Sequence, residues 1–212
     1  MWKLWPFFRS VGAQTPTRPV TDNGSSLTPV KPGCNRMKPL PPIEIEASAN
    51  HHKSFTSPNP DIKATVYSSD RREVGRVIYA ISPLFDRLYL FDITIHVPYR
   101  RQGFGLTIMD YLTTTYRLPI TTIKELFSAS EFWRSVREVS SQRNEKIETL
   151  SVSEMNEERE RWAHLKPLID QLDVLISDRL SSKLESWESA IGRGLPDWPT
   201  STLQGRGAST PP

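Results

Sequence analysis

Residues 91–116, FDITIHVPYRRQGFGLTIMDYLTTTY, change periodicity halfway along and so leave the backbone few options. Ile93, Ile95 and Val97 alternate with Asp92, Thr94 and His96, the pattern of a strand with two unlike faces. A short loop, 98–102, follows and runs into Gly103-Phe104-Gly105. Apolar residues then recur at helical spacing, at Phe104, Ile108 and Tyr111 with Leu112, and Thr115 lies on the same face. The stretch reads as strand, glycine-containing loop and helix in immediate succession. Such a junction turns the free N–H groups of a helix N-terminus toward whatever lies past the strand end. With the helix dipole behind them, those groups form an anion site, most often for phosphate.

Spacing excludes two phosphate-binding patterns. A nucleotide P-loop requires Lys and Ser/Thr after its last glycine, and Leu106-Thr107 follows Gly105. The dinucleotide fingerprint requires a third glycine three residues after Gly105, where Ile108 stands. What remains is Arg100-x-x-Gly103-x-Gly105. Glycine at two loop positions lets the chain turn tightly and approach a ligand without a Cβ in the way. Arg100 and Arg101 add donors that match phosphate oxygens.

This strand, the Tyr-Arg-Arg-Gln-Gly-Phe-Gly loop and the amphipathic helix resemble the acetyl-CoA-binding motif of the GNAT superfamily of acyl-CoA-dependent N-acyltransferases. The family pattern is Arg/Gln-x-x-Gly-x-Gly/Ala after a strand ending in a Val/Ile-x-Pro-like turn. Arg100, Gly103 and Gly105 match it, and Pro98 stands one place later than the usual proline. The resemblance covers residues 63–137 and implies an α/β (α+β) fold. In it, an antiparallel meander precedes the strand–loop–helix motif within one mixed sheet. It also implies acetyl-CoA as acyl donor and an amine as acceptor. The backbone of Ile93, Ile95 and Val97 is then expected along the pantetheine arm. Arg100, Arg101, Gln102, Gly103, Phe104, Gly105 and Leu106 are expected at the pyrophosphate.

Acyl transfer from a thioester to an amine needs a base, direct or through water, because the ammonium must first lose a proton. Asp92 and His96 are the titratable residues on one strand face, four apart. An imidazole suits the task best near neutral pH. A polar residue on a strand face is more often a structural hydrogen-bond partner than a base.

The rest of the chain is arranged around this domain. Residues 1–62 hold ten of the 18 prolines and show no sustained period, the composition of a mostly disordered leader. One island in it, Ile43-Glu44-Ile45-Glu46, reads as a short edge strand. Strands are expected at 63–67, 73–81 and 87–97, a parallel fifth at 118–123, and a short helix at 130–136. Residues 138–192 turn helical and acidic, with twelve Asp/Glu against seven Lys/Arg. Ser151-x-x-Glu154 has capping-box spacing, and an apolar stripe runs through Leu165, Leu172, Ile176, Leu180, Leu184 and Ile191. That stripe either docks on the domain or forms the seam of a homodimer or partner complex over 153–191. Residues 193–212 read as a flexible tail with Trp198 packed back.

Several classes are excluded. The single Cys34 rules out an internal disulfide framework, and no Cys/His spacing suits zinc, so a reducing, cytoplasmic setting and no metal are expected. No apolar run approaches the roughly 18 residues of a membrane span. The aromatic start MWKLWPFFRS is interrupted by Pro6 and lacks the features of a signal peptide. A net charge of only +3, with no basic stripe and interleaved aromatics, argues against nucleic acid.

The chain also departs from the family. A Tyr on the short helix commonly protonates the departing thiolate, whereas Phe132-Trp133 stands here, and an indole N–H is a donor without useful acidity. No closing strands are legible after residue 137. Two readings therefore stand. One is an N-acetyltransferase for an unidentified amine. The other is a catalytically impaired GNAT-like module serving protein–protein interaction through its C-terminal helix.

Overall fold

A computed structural model describes residues 39–182 and 185–199. Its centre is one six-stranded mixed sheet, with the strands side by side in chain order. β1 (Ile43–Asn50), β2 (Asp61–Ser68), β3 (Glu73–Ile81) and β4 (Leu88–Ile95) are successively antiparallel. β5 (Ile120–Ile123) runs parallel to β4, and β6 (Ile147–Leu150) parallel to β5. Two crossover helices, α1 (Phe104–Tyr116) and α2 (Ser130–Gln142), make those parallel connections. The protein is thus a mixed α/β fold.

Period two explains the strands. Ile62, Ala64 and Val66 of β2 are buried, as are Val77, Tyr79 and Ile81 of β3 and Leu88 and Leu90 of β4. These side chains meet Phe104, Ile108, Met109 and Leu112 of α1 and Trp133 and Val136 of α2 in one core. The hydroxyls of Tyr79 and Tyr116, 2.7 Å apart, pin the C-terminal end of α1 to β3.

Ordered structure begins well before residue 63. The island after Pro42 is a full strand, because Ile43 and Ile45 reach the main core while Glu44 and Glu46 face Arg71 in water. The segment after β1 is also fixed, with Phe55 in an aromatic cluster with Tyr89 and Trp162. Leader residues 1–38 and tail residues 200–212 lie outside the described residues.

The region after residue 137 is not uniformly helical. α2 extends to Gln142, and β6 follows, a four-residue strand in which charged Glu148 and polar Thr149 dilute the apolar signal. A sixth strand, parallel to β5, therefore stands where a continuous helix was expected. Then come α3 (Glu154–Glu160), α4 (Lys166–Ser181) and α5 (Trp187–Ile191). Ser151 and Glu154 form the reciprocal capping box: the Ser151 N–H donates to Glu154 Oε2 at 2.7 Å, and the Glu154 N–H to Ser151 Oγ at 3.4 Å. Pro167 sits in the first turn of α4, where a missing N–H costs nothing. Leu172 and Ile176 of the apolar stripe are buried together with Ile191 and Leu195, while Leu184 lies outside the described residues. The His51 N–H donates to the Ile191 carbonyl at 2.7 Å, tying this unit to the end of β1. No helix among the described residues is long and apolar enough to cross a membrane.

Candidate functional site

β4 and β5 part company early. They pair only at Leu88, Tyr89 and Leu90 against Ile120, Thr121 and Thr122. On the other side of β4, Tyr79 faces Leu90 while the next partner, Ile78, faces Asp92, so Phe91 is an extra, bulged residue. The bulge re-aims the strand at the point where its other edge loses its neighbour. The His96 N–H donates to the Val74 carbonyl at 2.9 Å. By alternation, the backbone groups of Asp92 and Thr94 also turn toward β3, and those of Ile93 and Ile95 toward the open edge. Their side chains pack on the core below α1.

Past the strand, Val97–Tyr99 form a single 3-10 turn with Pro98 in its first turn, so β4 stops at Ile95 and Val97 is 70% exposed rather than on the edge. Gln102 Nε2 donates to the Pro98 carbonyl at 2.7 Å, closing the loop. Arg101 (φ 61°) and Gly103 (φ 96°) are left-handed, and at 96° only glycine is unstrained. The first helical bond of α1 runs from the Thr107 N–H to the Gly103 carbonyl at 3.0 Å. The N–H groups of Phe104, Gly105 and Leu106 consequently have no helical acceptor, and Gly103 supplies no side-chain cap. No acid lies in that first turn, and no carboxylate among the described residues pairs with the exposed Arg100 or Arg101. An anion there meets free donors, the positive end of a dipole and two unneutralised guanidiniums.

Two neighbours shape the loop in ways the sequence did not announce. A Cβ on Gly105 would lie 2.8 Å from Phe132 Cε2, so Gly105 makes room for α2. A Cβ on Gly103 would lie 3.1 Å from Pro41 Cδ, and Thr107 Oγ1 donates to the Pro41 carbonyl at 3.1 Å. The segment before β1 thus leans on the first turn of α1. Only a pairing of distant segments reveals either contact, and a single sequence carries no signal for that.

Asp92 lies within β4 and His96 just past its end, four residues on, and each has its own partner. Asp92 Oδ2 accepts from Thr94 Oγ1 at 3.0 Å and lies 3.6 Å from Arg76 Nε. His96 Nε2 is 3.1 Å from Glu73 Oε1 across the strand pair. Glu73 and Arg76 went unnoticed in the sequence because strand register is invisible there. Beyond β5, Glu125 accepts from Thr122 Oγ1 at 2.8 Å, Thr149 Oγ1 at 2.9 Å and Arg137. Burial alone raises its carboxyl, but the hydrogen bonds from Arg137, Thr122 and Thr149 outweigh it and hold the group below the usual range.

On the sheet face away from α1, Phe55 stands edge-on to Tyr89, Phe91 and Trp162, with ring centroids 5.0, 6.4 and 5.2 Å away. Behind Phe55 a cavity of about 470 Å³ is lined by Lys53, Arg159, Trp162 and Ile169, distant in sequence from the glycine loop. Trp133 is buried, and Phe132 is committed to Gly105, so neither presents an acid. Among the described residues, no group of three or more His, Cys, Asp or Glu side chains is placed to hold a metal.

No protein-family model matches the chain, and no curated protein matches it in sequence.

Proposed function

We propose that the protein is an N-acyltransferase that moves an acetyl group from acetyl-CoA to an amine. The observation that carries the reading is the continuity between the open edge of β4 and the donor-rich first turn of α1. Acetyl-CoA would supply an activated thioester on an extended arm containing two amides. The Ile93 and Ile95 backbone groups suit such an arm, which pairs with a strand edge as an added strand does. The free N–H groups of Phe104, Gly105 and Leu106, with Arg100 and Arg101, suit its pyrophosphate.

Length assigns the remaining roles. A pantetheine arm spans about five residues of strand at roughly 3.3 Å each. Counted back from the loop, the thioester falls beside Phe91 and Asp92, while His96 stays near the phosphates. Asp92 is then the better-placed base, taking the amine's proton directly or through one water. Its side chain faces the sheet side away from α1, where the acceptor would enter past Phe91. Arg76 and Thr94 hold that carboxylate in place.

The test is thiol release from acetyl-CoA in the presence of a panel of primary amines. Turnover with at least one amine, lowered at least tenfold in Asp92→Asn and much less in His96→Gln, is expected. Thiol release indifferent to every amine and to Asp92→Asn contradicts the reading.

The module reading draws on a specific observation, the absence of an acid at Phe132-Trp133. It predicts poor or no acetyl-CoA binding and no turnover. The interaction surface it assigned to the C-terminal helix is weakened, since Leu172 and Ile176 are already buried within the chain.

A further inference from the structure

Phe127 is 94% exposed, and Leu126 before it is 61% exposed. They belong to the turn between β5 and α2, which the Ala129 N–H fixes by donating to the Leu126 carbonyl at 2.9 Å. The turn's position follows from two contacts. Phe132, in the first turn of α2, meets Gly105, in the first turn of α1. Arg143, just past the end of α2, pairs with Asp110 farther along α1. The two helices therefore run the same way with their N-termini together. The turn at Phe127–Ala129, immediately ahead of α2, lies at the end of the sheet where α1 offers its free N–H groups.

We propose that Phe127, with Leu126, is the platform on which the adenine of acetyl-CoA stacks. The inference rests on the acyl-CoA reading above and adds the subsite for the far end of the same ligand. A ligand whose pyrophosphate sits on the first turn of α1 continues directly into an adenosine. Its base has two apolar faces to remove from water, and an exposed aromatic ring at the same end of the sheet as the phosphates is the partner that does so. A protein occupant fits less well. A stable interface covers about 800 Å² per partner, several times what these two side chains present. The site distinguishes acyl-CoA from shorter acyl carriers, because only the former carries a base.

The experiment is calorimetric titration of the full chain and of Phe127→Ala with acetyl-CoA and with acetyl-phosphopantetheine, which keeps the arm and one phosphate but lacks the adenosine. Phe127 touches little of the fold, so the variant keeps its structure. Loss of the ring should weaken acetyl-CoA by roughly 5- to 100-fold, the range of a base–aromatic stack, and leave acetyl-phosphopantetheine unchanged within about twofold. Phe127→Trp should bind acetyl-CoA at least as well as the parent. Equal weakening of both ligands overturns the platform, as does unchanged acetyl-CoA affinity. Unchanged affinity with altered sedimentation assigns the ring to a protein contact instead. If the parent binds neither ligand, the acyl-CoA reading itself fails, an outcome separate from failure of the platform.

Discussion

The Nε of Arg100 donates to the carbonyl of Ile95 at 2.9 Å, folding the first residue of the glycine motif back onto the open strand edge beside it. One side chain thus links the surface assigned to the pantetheine arm to the surface assigned to the phosphates. It also holds the orientation of a guanidinium that pairs with no carboxylate among the described residues. Arg100→Lys keeps the charge but loses the planar fork, and Arg100→Ala loses both. Titration should show acetyl-CoA binding weakened several-fold by the lysine. The alanine should cost about 1.5–3 kcal/mol, the worth of a charge-assisted hydrogen bond. Neither change should lower thermal stability measurably, because the residue is exposed.

Gly105 is fitted to Phe132, a contact that needs no ligand. Gly105→Val should destabilise the protein by about 1–3 kcal/mol through overpacking. In a Phe132→Ala background the same substitution should cost much less. Urea denaturation of the four proteins in this cycle measures the coupling, and additive effects would contradict the contact.

His51 gives the fold a pH dependence. Burial first, and then the Arg179 charge, lower its pKa from the ordinary 6.5, and only a hydrogen bond to the Pro58 backbone opposes them. Among the described residues its Nδ1 is buried without a hydrogen-bond partner, and its ring lies so close to Gly194 that an added Cβ there would be 2.5 Å from Cε1. The unfolded chain accepts a proton near pH 6.5 that the folded one resists. Stability from this group is therefore full above that pH and is lost as pH falls below it. Asp61 works oppositely, since burial raises its carboxyl, but at more acid pH. Denaturation midpoints should drop from pH 7.5 to 5.5, and His51→Gln should flatten the slope.

Leu172 reports how the C-terminal helices are stabilised. It is 1% exposed within the cluster of α4 and α5, so Leu172→Ala should cost about 2–5 kcal/mol. The melting temperature of the parent and of the variant should not depend on protein concentration. A concentration-dependent melting temperature would mean that the stripe is a dimer seam.

The sequence shows local order and hides what needs partners. The strand–loop–helix around Gly103 was legible because two periods and two glycines meet within 26 residues, 91–116, and each signal is local. β1 was half seen: Ile43 and Ile45 alternate, but the following Ala-Ser-Ala carries no pattern without β2 beside it. β6 was missed because its four residues sit between charged helices. The candidate site divides the same way. The loop residues could be read off directly. The bulge at Phe91, the separation of β4 from β5, Glu73 behind His96 and Pro41 against Gly103 all depend on register, which a lone sequence does not encode visibly.

The most direct test of the central claim is titration of the full chain with acetyl-CoA, alongside an Arg100→Ala/Arg101→Ala variant. Both substitutions are exposed, so the fold survives them. The account predicts micromolar binding that weakens with added salt and falls at least tenfold in the variant. No heat and no thermal shift from folded protein at millimolar acetyl-CoA would contradict it.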